Sequence, residues 1–205
     1  MDDLRKLVDS LPHKPFFGVA LLAWLALFHL LGNANFGYVD SPSLFGWLYP
    51  LYQNNPDDGL GMMVPFVSLV LLWIRRDQLV PLPKDTWAPA LGLVAAGLVL
   101  HLLGYQVQQA RLSLVGFLTG FYGLTGLFWG RAWMRASVFP FALLLFCIPV
   151  TAYLNGVTFY LRLLVAQLAT GFCTEVLHMR LLREGTAVYS VLPDGTRGFQ
   201  FEVEA

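Results

Sequence analysis

Long apolar runs fill most of this chain between residues 16 and 180, and they constrain its fold more than any other feature. Only 13% of the 205 residues are charged, whereas soluble domains carry roughly 25%. Apolar runs of this kind are typical of helices that cross a bilayer, because about 20 apolar residues span its hydrocarbon core. The sequence therefore predicts an all-α polytopic membrane protein that contacts the lipid bilayer.

Five of the apolar runs are long enough, or nearly long enough, to cross the membrane as helices. They are residues 16–32, 61–74, 87–104, 112–129 and 136–154. A sixth helical stretch, residues 156–179, is less apolar because it carries Arg162 and Glu175. If it crosses the membrane, the segment that follows it is cytoplasmic; if it lies in the outer interface or re-enters the membrane, that segment is external. The expected transmembrane domain, residues 16–180, thus has five or six helices.

The basic residues predict the orientation of this domain. Of the 13 Lys and Arg residues, eight lie in residues 1–15, 75–86 and 130–135, and residues 33–60 have none. Short cytoplasmic loops are the ones enriched in Lys and Arg, so we expect residues 1–15 to be a cytoplasmic N-terminal segment. Residues 33–60 are rich in Trp and Tyr, which predicts a loop lying in the membrane interface. A plain connecting loop with an aromatic belt is the alternative.

The spacing of apolar residues changes from helical to alternating in residues 181–205. Ala187, Tyr189 and Val191 point one way, and Phe199, Phe201 and Val203 do the same after the turn residues Pro193-Asp194-Gly195. Alternation on both sides of such a turn predicts a C-terminal extramembrane β-hairpin. Its second strand reaches Ala205 without a turn or cap, so we expect the hairpin to be incomplete and the chain to be a fragment.

Two histidines are candidate functional residues, because ionisable side chains inside membrane segments are costly and tend to be functional. His29 and His101 each begin a His-Leu-Leu-Gly run at the predicted outer end of a span. Imidazoles at one depth can form a proton relay or a metal site. Interfacial or packing histidines are the alternative.

Two charged residues are further candidates. Arg162 would lie one turn into the last helical stretch, where it must reach the interface or pair with a carboxylate. Glu175 and Glu184 are its nearest acidic neighbours in sequence, so a structural ion pair is the alternative to a functional role. Asp58 follows Asp57 and could bind a cation, although a solvated turn is the alternative.

The residues themselves reveal no catalytic, cofactor or metal motif. Cys147 and Cys173 lie in apolar segments and have neither metal-ligand spacing nor a nucleophile motif around them. The formal net charge is zero, which gives no reason to expect a nucleic-acid partner. We therefore expect no bound cofactor and no metal.

The glycines of the fourth span admit a second kind of function. Gly116, Gly120, Gly123 and Gly126 are three to four residues apart, a spacing that lets membrane helices approach closely. A substrate path is the alternative role for them. A non-enzymatic scaffold or transporter-like subunit, which would pack against partners through this span, is thus the alternative to an enzyme.

Short motifs between residues 55 and 205 occur in a recognisable order. They are Asn55-Pro56-Asp57-Asp58-Gly59, Val64-Pro65, Arg75-Arg76, Arg135-Ala136-Ser137-Val138-Phe139-Pro140, Phe146-Cys147-Ile148-Pro149, Arg183-Glu184-Gly185 and Phe201-Glu202-Val203-Glu204-Ala205. Over about residues 45–205, this order resembles the exosortase/archaeosortase family. The family usually has His-Gly or a similar polar-Gly pair where this chain has Asp58-Gly59.

The resemblance implies a membrane-embedded cysteine transpeptidase or processing protease of the cytoplasmic (inner) membrane. Such enzymes act outside that membrane on exported proteins that carry a C-terminal sorting signal, made of a short motif such as Pro-Glu-Pro, a membrane helix and a basic end. The family's nucleophile lies in an Ala-Cys-Ser-Gly-Ile-Arg-like motif directly after the hairpin, and its Arg and His partners lie on later spans. That motif would begin at about Ala205. The resemblance therefore places no catalytic residue in this chain, which is expected to be inactive without a C-terminal remainder of the same enzyme.

Overall fold

The computed structural model describes residues 14–34, 41–149, 151–191 and 197–202. Contacts between residues divide the chain into two units, residues 1–149 and 150–205. The helices of the first unit are α1 Lys14–Leu31, α2 Leu44–Asn54, α3 Pro56–Gly59, α4 Val64–Ile74, α5 Arg76–Leu79, α6 Leu91–Gln106 and α7 Ala110–Leu143. Short 3-10 turns lie at Leu60–Met62, Ala88–Ala90 and Leu144–Cys147.

Three helical stretches among the described residues are long and apolar enough to cross a bilayer: Lys14–Leu31, Ala88–Gln106 and Ala110–Cys147. They contain the predicted first and third spans, and the third stretch combines the fourth with part of the fifth. The predicted second span corresponds to Leu60–Ile74, which is apolar but shorter. The predicted multi-pass membrane protein is confirmed, whereas its count of five or six spans stays a prediction.

Helix α7 reverses direction at Gly130, whose backbone has φ +86° and ψ 172°. The Tyr122 hydroxyl donates to the Met134 carbonyl at 2.7 Å, and the rings of Tyr122 and Phe141 lie 4.9 Å apart. In a straight helix these two rings would be about 28 Å apart at a rise of 1.5 Å per residue. Residues 110–129 and 131–143 are therefore two antiparallel arms, which we call the first arm and the returning arm. Gly130 is suited to this reversal because its φ lies in the left-handed region that side chains disfavour.

Helix α6 and the first arm of α7 pack with their backbones in contact. A Cβ atom built on Gly116 would lie 2.6 Å from the carbonyl oxygen of Gly97, and one built on Gly123 would lie 2.8 Å from the backbone nitrogen of Val94. Only glycine permits this separation, which is how small residues bring membrane helices together. The predicted packing role of the glycine-rich span is confirmed, and the helix that it packs against is α6 of the same chain.

Helices α1 and α2 pack against the same arm and complete the core of the first unit. The Trp24 ring lies over Gly120, and its indole nitrogen donates to the Phe117 carbonyl at 3.2 Å. Leu44 and Trp47 of α2 are buried in this cluster. Much of the predicted loop 33–60 is thus helical, and its position in the membrane interface stays a prediction. Phe36, Tyr38 and Asp40 of that loop lie outside the described residues.

The second unit consists of helix α8, Thr151–Glu175, and a small antiparallel sheet. Its strands are β1 Leu181–Glu184, β2 Ala187–Val191 and β3 Arg197–Glu202, in the order β1-β2-β3. Strands β2 and β3 are the predicted hairpin, and β1 adds a strand that the alternation did not predict. Gly185 has φ +67° in the two-residue turn between β1 and β2, which is a conformation that such turns assign to glycine.

The register separates the two alternating sets that predicted the hairpin. Val188 is paired with Phe201, and Tyr189 is paired with Gln200. Directly paired residues project from the same face of a sheet, so Phe201 lies on the face opposite to Tyr189. Residues 193–195 and Val203, which also entered that prediction, lie outside the described residues.

Candidate functional site

An apolar cavity of about 410 Å³ lies in the first unit among α2, α4, the first arm of α7 and the 3-10 turn Leu144–Cys147. Phe45, Phe117, Phe121 and Leu144 are among its lining residues, and Tyr49 and Tyr52 contribute the only hydroxyl groups of the lining. Such a cavity can accept apolar side chains or an acyl chain. Its lining contains no carboxylate, imidazole or guanidinium group, so it does not supply an acid–base pair.

Tyr52 lies at the edge of this cavity and holds the chain at Cys147. Its hydroxyl donates to the Cys147 carbonyl oxygen, and a Cβ atom built on Gly61 would lie 2.9 Å from its ring. Burial, together with the neighbouring Cys147 and Asp58, raises the pKa of Tyr52 above its ordinary value. The hydroxyl therefore remains protonated and available as a donor at neutral pH.

Arg111 holds the same segment two residues further on. Its Nε donates to the Pro149 carbonyl at 2.6 Å, and its guanidinium lies 5.9 Å from the centroid of the Trp47 ring. The segment leaves the 3-10 turn with extended backbone at Ile148, so these carbonyls have no helical partner. We call Tyr52 and Arg111, bonded to the carbonyls of Cys147 and Pro149, the carbonyl clamp. It fixes where the Phe146–Pro149 motif leaves the bundle.

The two members of the carbonyl clamp were missed as functional candidates by sequence reasoning. Tyr52 is one of several aromatic residues in its loop, and Arg111 is the only basic residue of a short turn. The isolated arginine between two apolar runs was the available signal, since a buried guanidinium needs an acceptor. The identity of that acceptor, a backbone carbonyl 38 residues away, could not be read from the sequence.

The candidate histidines His29 and His101 occupy neighbouring places in the structure. His29 Nδ1 lies 3.0 Å from the hydroxyl of Ser43, the residue that caps α2, whereas His101 Nδ1 lies 3.3 Å from the hydroxyl of Ser113. The His101 ring is buried and packs 4.5 Å from the ring of Phe28, next to His29 in the chain. Each imidazole thus has a hydroxyl partner that links two helices, and a proton path through them stays a prediction.

The charged candidates Arg162 and Asp58 have different surroundings. Arg162 donates to the hydroxyl of Thr158, one turn earlier on α8, at 3.4 Å. Glu175 lies 13 residues further along α8, about 20 Å away by helical rise, so it is not the ion-pair partner. Arg183, next to Glu184 in the chain, donates to the Leu163 carbonyl on α8 at 3.3 Å. Asp58 is 8% exposed, so the alternative of a solvated turn is wrong for this carboxylate.

No metal centre is assembled in the part of the chain that the structure describes. Within it, no three His, Cys, Asp or Glu side chains lie close enough together to hold an ion. Cys147 is buried, Cys173 is half-buried, and both are free thiols. The first unit therefore provides an apolar cavity and the carbonyl clamp, which holds the segment Phe146–Pro149.

The comparisons with known proteins identify the family. A model described as transmembrane exosortase matches residues 52–204, which is more than half of the chain. No curated protein and no solved structure matches the chain. The matched region begins at Tyr52 and includes the rest of the carbonyl clamp, the Phe146–Pro149 motif and the described strands. The predicted resemblance is confirmed, and the chain belongs to the transmembrane exosortase family.

Proposed function

We propose that this exosortase takes part in processing exported proteins at the outer face of the cytoplasmic membrane by holding their C-terminal sorting tails for cleavage. The observation that carries the proposal is the family match over residues 52–204. In this role the tail's own membrane helix docks beside the bundle and brings the scissile bond to the enzyme. Docking of this kind replaces a search in solution by a positioned encounter.

The apolar cavity supports a role in tail binding. It is open, and its lining by aromatic and aliphatic side chains of α2, α4 and α7 suits large apolar side chains of a membrane helix. The carbonyl clamp keeps one wall of the cavity in place, because Cys147 belongs both to the clamp and to the lining.

The proposed chemistry is attack by a cysteine thiolate, which needs a nearby cation and donors for the oxyanion. We assign the nucleophile to the cysteine motif that the family carries after the hairpin. Cys147 and Cys173 lie before the hairpin and do not match that motif. Residues 1–205 are thus proposed to bind a sorting tail without cutting it.

A co-expression experiment tests this assignment. A reporter with a Pro-Glu-Pro motif, a membrane helix and a basic end is co-expressed with residues 1–205, and separately with a reporter whose membrane helix is replaced by an unrelated one. Selective co-purification of the first reporter, uncut, is expected. Cleavage by residues 1–205 would refute the location of the nucleophile, and equal retention of both reporters would refute tail binding.

Accessibility labelling tests the proposed location of the sheet outside the cytoplasmic membrane. Gln200 is exposed on β3, whereas Ser190 accepts a bond from the Phe199 amide at 2.9 Å and is the poorer place for a label. In a variant with Gln200→Cys, Cys147→Ser and Cys173→Ser, a membrane-impermeant thiol reagent is expected to react from outside the cell. Labelling only after the membrane is opened would place the sheet on the cytoplasmic side and contradict the proposal.

The scaffold or transporter-like alternative receives less support from the packing. It was motivated by a glycine-rich span free to meet partners, whereas Gly116 and Gly123 contact α6, and Gly120 contacts Trp24. These glycines are therefore occupied within the chain.

A further inference from the structure

A second cavity, of about 280 Å³, lies at the tip of the α7 reversal. It is lined by Trp87, Tyr122, Arg131, Met134 and Arg135. The two arginines are four residues apart, so they lie on one side of the returning arm. The Arg131 guanidinium lies 5.9 Å from the centroid of the Trp87 ring. The tip thus combines two guanidinium groups with an aromatic and aliphatic wall.

The two arginines are placed where a helix by itself does not favour them. The helix resumes at Arg131 after Gly130, and the positive end of a helix dipole repels cations in its first turn. Among the described residues, neither Arg131 nor Arg135 forms a salt bridge, and Asp85 meets Gly130 through its backbone oxygen. A bound anion would compensate both guanidinium groups and the positive end of the helix dipole.

The cavity also lies at a membrane boundary. The first arm, residues 110–129, rises about 30 Å at 1.5 Å per residue, which equals the thickness of a hydrocarbon core of about 30 Å. Arg75 of the basic segment 75–86 donates to the Ala136 carbonyl on the returning arm at 3.5 Å. The tip is therefore at the end of the bundle that the distribution of Lys and Arg predicts to be cytoplasmic.

We propose that this cavity binds the phosphate of an anionic phospholipid headgroup between Arg131 and Arg135. Guanidinium groups pair with phosphate through two parallel hydrogen bonds, and basic pockets between membrane helices on the cytoplasmic side bind anionic headgroups. Trp87 and Met134 supply an apolar wall for the glycerol and the first part of the acyl chains. The position at the bilayer edge favours a lipid over a free phosphate ion.

Lipid retention by the purified protein tests the proposal. Wild-type protein in detergent at 0.15 M salt is titrated with phosphatidylglycerol or phosphatidylcholine, and bound lipid is counted by native mass spectrometry. Wild type is expected to prefer phosphatidylglycerol at least about tenfold. The variant R131Q/R135Q should bind phosphatidylglycerol about 30-fold more weakly, as two phosphate contacts at a membrane surface imply.

The control variant R76Q/K84Q removes the same charge from the same end of the bundle. Its residues do not line the cavity and cannot make the paired bonds proposed for Arg131 and Arg135, so its affinity should stay within about threefold of wild type. Equal losses in the two variants, or no lipid preference in wild type, would overturn the site.

Two further measurements keep the test decisive. Inorganic phosphate is added to the wild-type complex, and displacement of the lipid at millimolar concentration would show that the site selects a free anion, contrary to the proposal. If R131Q/R135Q elutes as an aggregate, the single variant Arg135→Lys is used instead, because lysine keeps the charge but cannot make the paired bonds. An affinity of Arg135→Lys equal to that of wild type would contradict the proposed phosphate contact.

Discussion

Replacing Gly116 by Ala tests the backbone contact between α6 and α7. The added Cβ would lie 2.6 Å from the Gly97 carbonyl oxygen and 2.9 Å from the His101 backbone nitrogen. Both are main-chain atoms, so the contact cannot be relieved by turning a side chain, and the two helices must move apart. Overpacking of this kind costs typically 1–3 kcal/mol, about 3 kcal/mol here because two backbone atoms are involved.

The better helix propensity of alanine offsets part of this cost. Gly to Ala in a helix interior gains about 1 kcal/mol, so the net loss in the free energy of unfolding is about 2 kcal/mol. For a chain of this size, each kcal/mol lowers the unfolding midpoint by roughly 2–4 °C. We therefore expect the midpoint of Gly116→Ala to fall by roughly 4–8 °C.

Thermal unfolding in detergent, followed by tryptophan fluorescence, measures this change. Gly92→Ala is the matched control because Gly92 lies on α6 and has no atom within 4 Å of an added Cβ. It should be neutral or should raise the midpoint by a few degrees. A midpoint for Gly116→Ala at or above that of wild type would refute the contact, as would an equal loss in both variants.

Three other predictions use the same unfolding assay or a processing assay. Tyr52→Phe removes the hydrogen bond to the Cys147 carbonyl and should lower the free energy of unfolding by about 1 kcal/mol. Tyr49→Phe changes a neighbouring residue of the cavity lining and should be neutral. Equal losses in the two variants would argue against the carbonyl clamp. Arg111→Met removes a charged donor to the Pro149 carbonyl and should lower the free energy of unfolding by about 1.5–3 kcal/mol. An unchanged unfolding midpoint would contradict that bond. If His29 and His101 carry a proton, replacing both by Phe should abolish processing in cells by an enzyme that also carries the C-terminal cysteine motif, at unchanged protein level. Full processing would dismiss the proton path and leave the two histidines as packing residues.

The sequence predicts the fold well where an apolar run alone specifies an element. Helices α1 and α6 follow from such runs, and the polar break at residues 130–135 correctly separated two helices, which run in opposite directions on either side of Gly130. Strand β1 was not predicted, because the four residues Leu181–Glu184 are too few to show a period and pair with β2 only after the turn at Gly185 forms.

The candidate site was less predictable than the helices for a physical reason. Tyr52 and Arg111 act on backbone carbonyls, and every residue has a carbonyl, so no side-chain motif marks the partner. The histidines and Arg162 were found because ionisable residues are rare in apolar runs, yet rarity does not reveal the partner. The family motif Phe146–Pro149 was recognised, but its role as the segment held by two donors required the tertiary structure.

The reversal at Gly130 has a consequence for how the protein enters the membrane. The two arms are joined by the single residue Gly130. No loop between them could remain in water while one arm inserts. They must therefore leave the insertion machinery as a closed pair, already in contact through Tyr122 and Phe141. A reporter domain or epitope tag inserted at this tip would pull the pair apart during biosynthesis, long before any effect on the mature protein.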